Sequence, residues 1–106
     1  VRSTLFPFRS KKNYSTTSMI EKVGEEIDAL VLYRRGGGRN RGTPQKFKWR
    51  GRTISIQNID MRHTVREGRR LYHVFSVSDG SWYFRLKFDT DNLTWTLEEF
   101  SDGLAD

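Results

Sequence analysis

The stretch QKFKWRGRTISI, residues 45–56, alternates apolar and polar side chains on both sides of one glycine. Period two is the mark of a strand with one face buried. It sets Phe47 and Trp49 inward and Lys46, Lys48 and Arg50 outward. Gly51, following Arg50, supplies the positive φ of a tight hairpin turn. Beyond the turn Ile54 and Ile56 point inward, while Thr53, Ser55 and Gln57 point outward. Ile59 falls out of phase with them, which signals a bulge near Asn58 or the end of the strand.

The pattern spreads in both directions. Upstream, EEIDALVLY (25–33) puts Ile27, Ala29, Val31 and Tyr33 on one face and Asp28, Leu30 and Leu32 on the other. A strand apolar on both faces is expected to be central in its sheet or covered twice; a short helix is the competing reading. GGGRNRGTP (36–44) is a loop, because three consecutive glycines are costly to order, and Pro44 marks the approach to the next strand. Downstream, DMRHTVREGRR (60–70) reads as a polar connection. LYHVFSV (71–77) sets Leu71, His73, Phe75 and Val77 on one face, and Asp79 and Gly80 make a hairpin turn. SWYFRLKF (81–88) sets Trp82, Phe84, Leu86 and Phe88 inward and Tyr83, Arg85 and Lys87 outward. After a turn from Asp89 to Asn92, LTWTLEEF (93–100) closes the series with Leu93, Trp95 and Leu97 inward. The expected fold is all-β: an antiparallel meander of about six strands, as a half-open sheet or a small barrel.

A chain of 106 residues is expected to form one domain. We divide it into a disordered basic tail or linker at 1–23, a single β domain at 24–100 and an acidic C-terminal end at 101–106. Residues 1–18 are rich in Ser, Thr, Lys and Arg and hold no acid. They read as a loose tail, as a transit peptide, or as sequence upstream of a true start at Met19. Three Trp, four Tyr and seven Phe give the domain a core. The absence of cysteine removes disulfides, thiolate metal sites and a Cys nucleophile, and it favours a reducing, cytoplasmic setting. No apolar run approaches the roughly 18 residues of a membrane span.

The run FKWRGRTISI, behind a hydrophobic strand and a Gly/Arg/Pro loop, resembles a family of small bacterial domains of unknown function. Its members occur alone or at the tail of catalytically altered relatives of error-prone DNA polymerases. The family pattern is an aromatic-x-Trp-Arg-Gly-Arg hairpin, a strand pair and a final Trp-x-Leu. Phe47, Trp49, Arg50, Gly51 and Arg52, then Trp95 and Leu97, match it, and the likeness covers about residues 25–100. The family's additional tryptophans after the hairpin are absent; Met61, Arg62, His63 and Thr64 stand there instead. The resemblance implies an association with DNA repair or damage tolerance and no mechanism.

An enzyme is not expected. His63 lies in a basic stretch without a carboxylate partner, and His73 alternates with Leu71 and Phe75 as a structural residue does. GGGRNRG lacks the Lys-Ser/Thr of a phosphate-cradling loop. No metal or cofactor is expected.

Charge carries the functional expectation. Residues 34–52 hold eight basic side chains and no acidic one, whereas residues 89–106 hold six acids and no base, read as solvent-exposed. Arg34, Arg35, Arg39 and Arg41 sit on or beside the glycine loop, and Lys46, Lys48, Arg50 and Arg52 on or beside the hairpin. Tyr83 with Arg85 and Lys87 would form a small stacking platform. These eleven residues are the candidate interface for DNA or RNA, bound through phosphates with little sequence specificity. The alternative is a protein-interaction module that uses a strand edge and charge polarity, without nucleic acid. A monomer with no membrane partner is expected in either case.

Overall fold

The computed structural model describes residues 20–36 and 42–102. Seven strands form one antiparallel sheet: β1 (Ile20–Tyr33), β2 (Gly42–Trp49), β3 (Arg52–Ser55), β4 (Asn58–Glu67), β5 (Arg70–Ser78), β6 (Tyr83–Asp89) and β7 (Thr94–Ser101). Their order is β3-β2-β1-β7-β6-β5-β4, so β1 joins the two ends of the chain in the middle. The described residues contain no helix.

β1 changes partner along its length. Ile20 to Ile27 pair with β7, and Asp28 to Tyr33 pair with β2. On a flat sheet Trp49 would stand near the level of Ile27, about six residues from Phe100 and thus roughly 20 Å away. Instead the Trp49 and Phe100 rings are 5.0 Å apart, and those of Phe47 and Phe84 are 5.2 Å apart. The β2–β3 half is therefore folded over the concave face of the β5–β6–β7 half. Two register shifts permit the bend, one in β1 between Lys22 and Glu25 and one in β2 at Gln45, opposite Leu30 and Val31. Gly24 lies in the first of them at φ 65°; bulges of this kind bend and twist a strand.

The edges nearly meet. Only Ile56 and Gln57 separate β3 from β4, although these strands lie at opposite ends of the sheet order. The Ile56 N–H donates to the Gln45 carbonyl and the Gln57 N–H to the Ser78 carbonyl. The sheet is half open and not closed into a barrel.

The enclosed face carries the aromatic and aliphatic residues that the alternation assigned to it. Phe47, Trp49, Ile54, Phe75, Val77, Phe84, Leu86, Trp95 and Leu97 are all buried, joined by Ile27 and Phe100. At about 25 cal/mol per Å² of apolar surface removed from water, a buried Phe or Leu stabilises the fold by roughly 1.5–3 kcal/mol before entropy. Arg50 (φ 51°) and Gly51 (φ 79°) form the hairpin turn, both in the left-handed region that suits a two-residue loop.

Four expectations need correction. Residues 60–70 are not a connection: β4 occupies Asn58–Glu67 and pairs with β5 along its length. As an edge strand with a phase shift between Ile59 and Met61, it shows no apolar period, and it raises the strand count to seven. Second, β1 begins at Ile20, ahead of Gly24. Third, β1 is central in its sheet, as one of the two alternatives had it, but it is not covered twice: Leu30 and Leu32 stand 57% and 41% exposed on the convex face, and Tyr33 is 61% exposed on the other. Fourth, Leu93 belongs to the turn (φ 61°) and is 70% exposed rather than inward.

Candidate nucleic-acid interface

The distal half of β1 outruns β7, whose last partner on that strand is Ile27. Asp28–Tyr33 and the facing part of β2 therefore form an arm flanked only by β3. On its convex side Lys46 stands between Leu30 and Ser55, and Lys48 between Asp28 and Thr53. Arg34 and Arg35 follow the end of β1 and are exposed. Among the described residues Arg34, Arg35, Lys46, Lys48 and the half-buried Arg52 form no ion pair. Arg39 and Arg41 lie outside the described residues.

Arg50 is occupied. Its Nη2 donates to Glu25 Oε2 at 2.7 Å, and its guanidinium lies 4.8 Å from the centre of the Trp49 ring. The Trp49 indole N–H donates to the other Glu25 oxygen at 2.9 Å. Hydrogen bonds from Arg50 and Trp49 hold the Glu25 carboxyl below its ordinary value, and the Glu25 hydrogen bond raises Arg50. Glu25 belongs to the proximal half of β1, so this carboxylate ties the hairpin turn to the opposite wall of the core. Sequence reading missed it, because nothing in the spacing of residues 25 and 50 foretells a sheet folded on itself.

Tyr83, Arg85 and Lys87 do point outward, as the alternation required, but the two cations face carboxylates. Arg85 lies 3.4 Å from Glu98 and 3.9 Å from Glu99. Its Nε is nevertheless buried without a well-directed hydrogen bond. Lys87 lies 3.4 Å from Glu98, 3.7 Å from Glu67 and 4.2 Å from the centre of the Tyr72 ring. Lys22 adds a contact of 3.6 Å to Glu99. Lys22, Arg85 and Lys87 thus meet Glu98 and Glu99 around an open groove of about 610 Å³ that also takes in Gly24 and Thr96. The acidic C-terminal stretch is not a solvated end: Glu98 and Glu99 are half-buried members of β7. Asp89 is held similarly. Burial pushes its carboxyl up, and the backbone N–H groups of Asp91 and Asn92 with the charge of Arg70 outweigh that and lower it.

Comparison with family models, with curated proteins and with solved structures returned no match.

The residues that carry the family resemblance are structural in this fold. Phe47, Trp49, Trp95 and Leu97 are buried, and Arg50 and Gly51 make the turn. Neither histidine gathers a site. His63 is exposed on β4, and His73 stacks on Phe88 with ring centres 6.4 Å apart. Burial, then the nearby charge of Arg62, lowers the His73 pKa. Among the described residues no three His, Cys, Asp or Glu side chains come together as a metal set, and no helix is long and apolar enough to cross a membrane.

Proposed function

We propose that this domain binds the phosphate backbone of a nucleic acid through the β1–β2 arm, with Arg34, Arg35, Lys46 and Lys48 as the contacting cations. The observation that carries the reading is selective pairing: the arm's cations have no carboxylate within ion-pair reach among the described residues, while Arg50, Arg85 and Lys87 do. An unpaired arginine keeps its planar fork for phosphate oxygens. Among the described residues the arm presents strands and no reading helix, so contacts to phosphate outnumber contacts to base edges and sequence specificity is low. The likeness of residues 47–52 to domains attached to error-prone polymerase relatives points to repair as the setting. The cysteine-free composition fits the cytoplasm.

Titration of labelled single-stranded DNA, duplex DNA and RNA at low salt tests the proposal. With about four phosphates neutralised, log K falls against log salt with a slope of roughly −3 to −3.6. Absence of binding at low salt, or affinity indifferent to salt, overturns it.

A second reading has its own observation. Among the described residues β4 ends the sheet with ten residues open along one edge, and Met61 on it is 56% exposed. Such an edge can accept a partner's strand. Protein capture that survives neutralisation of the arm would favour it.

A further inference from the structure

Tyr33 continues the inward row of β1 past the end of the core. Ile27 on that row is buried, and Ala29 and Val31 pack against the core, whereas Tyr33 is 61% exposed. It is not loose in solvent on every side. Gly42 is its cross-strand partner, and a Cβ added at Gly42 would stand 2.8 Å from Tyr33 Cε1 and 3.4 Å from Cδ1 and Cζ. The ring therefore lies across the bare Cα of Gly42, seated on backbone where any other residue would displace it. Among the described residues its hydroxyl has no hydrogen-bond partner. Arg34 and Arg35 follow it directly, both exposed and neither in an ion pair among the described residues.

A seated, exposed aromatic ring next to cations is suited to an unstacked base with its phosphates alongside. A duplex keeps its bases stacked on each other and offers the ring nothing. From this geometry we infer that Tyr33 is a base-stacking residue and that the preferred ligand is single-stranded nucleic acid. The inference rests on the phosphate-binding role of the arm and adds the substrate class. Tyr83, the aromatic that the sequence singled out, lacks the setting, because the cations on its strand are matched by Glu67, Glu98 and Glu99.

The test uses the full chain and fluorescence anisotropy with a labelled mixed-sequence 12-mer, single-stranded and annealed to its complement. Wild-type protein binds the single strand more tightly than the duplex. Tyr33→Ala weakens single-strand binding about five- to a hundred-fold, the equivalent of one lost base stack, and leaves duplex binding within twofold. Its salt slope is unchanged, because the stack carries no charge. Tyr33→Phe retains the affinity. Gly42→Ala, at a position whose φ is not positive, keeps the tyrosine but tips it off its seat and also weakens the single strand. Arg34→Ala with Arg35→Ala lowers the salt slope for both ligands. Equal loss on both ligands, or no loss, in Tyr33→Ala overturns the stacking role while leaving the phosphate reading intact. Unchanged affinity in Gly42→Ala overturns the seat. Failure of the wild type to bind either ligand at low salt overturns both.

Discussion

Lys46 and Lys48 on β2 and Arg85 and Lys87 on β6 look alike in the chain, as cations alternating with apolar residues along a strand. In the sheet they differ in what stands across from them. β6 has neighbours on both sides, and β7 delivers Glu98 and Glu99 to its convex face while β4 adds Glu67. The arm has no β7 beside it beyond Ile27, so Lys46 faces Leu30 and Ser55. Lys48 faces Asp28 in register, yet the two form no ion pair. The free charge of a β protein is thus decided by strand length and order. The six residues by which β1 outruns its pairing with β7 separate a neutralised face from a cationic one.

The same overhang separates stability from binding, and the largest expected effect probes that division. Leu86 is fully buried in the enclosed half, so Leu86→Ala costs about 2–5 kcal/mol through lost transfer energy and a cavity. Leu32→Ala on the arm removes a side chain already 41% exposed and stays within about 0.5 kcal/mol. Urea unfolding of both variants is the measurement. A costly Leu32→Ala would mean that the convex face of the arm carries stability as its inner face does.

Next in size is removal of the arm's charge. Changing Arg34, Arg35, Lys46 and Lys48 together to Ala is expected to raise the nucleic-acid Kd more than tenfold at low salt, over about 1.4 kcal/mol, with little change in the urea midpoint. Arg85→Gln with Lys87→Gln is expected to do the reverse. It destabilises by about 0.2–1 kcal/mol per partly exposed pair and leaves affinity unchanged. The comparison sharpens further if the carboxylates go instead. Glu98→Gln with Glu99→Gln uncovers Lys22 and Arg85, leaves Lys87 with Glu67 alone, and should raise low-salt affinity a few-fold, with a steeper salt slope.

Most of the enclosed half was legible in the chain. Alternation identified Phe47, Trp49, Phe84, Leu86, Trp95 and Leu97 as inward, because each lies on a strand whose one face is fully covered. β4 escaped notice, since an edge strand needs backbone pairing more than apolar weight, and its inward positions include Arg62 and Thr64. Tyr33 was legible as inward but not as exposed. Alternation gives the face of a residue, and exposure depends on whether another strand lies opposite. The candidate interface was legible only as positive charge. Its division into paired and unpaired cations depends on Glu25 and Glu67, which arrive from strands distant in the chain, and on Glu98 and Glu99, which the β6–β7 pairing sets beside Arg85 and Lys87.

The smallest effect separates the two regions by pH. His73 lies in the enclosed half against Phe88, and burial, then Arg62, lowers its pKa below the ordinary 6.5. Between the lowered folded value and the ordinary one, the unfolded chain binds more protons than the folded chain, so stability falls as pH falls through this window and is fully present above it. Glu25 and Asp89 are depressed carboxylates with the same sign of dependence, but their losses begin only as pH drops towards their ordinary 4.5 and 3.8. Stability measured by urea between pH 7 and 5.5 should therefore decline slightly, and His73→Gln should flatten the decline. The arm's contacting side chains, Arg34, Arg35, Lys46 and Lys48, include no histidine and no carboxylate. Affinity measured on fully folded protein should stay level over the same interval. A parallel loss of affinity and stability would place a titrating group from the enclosed half in the interface, and the separation of the two regions would fail.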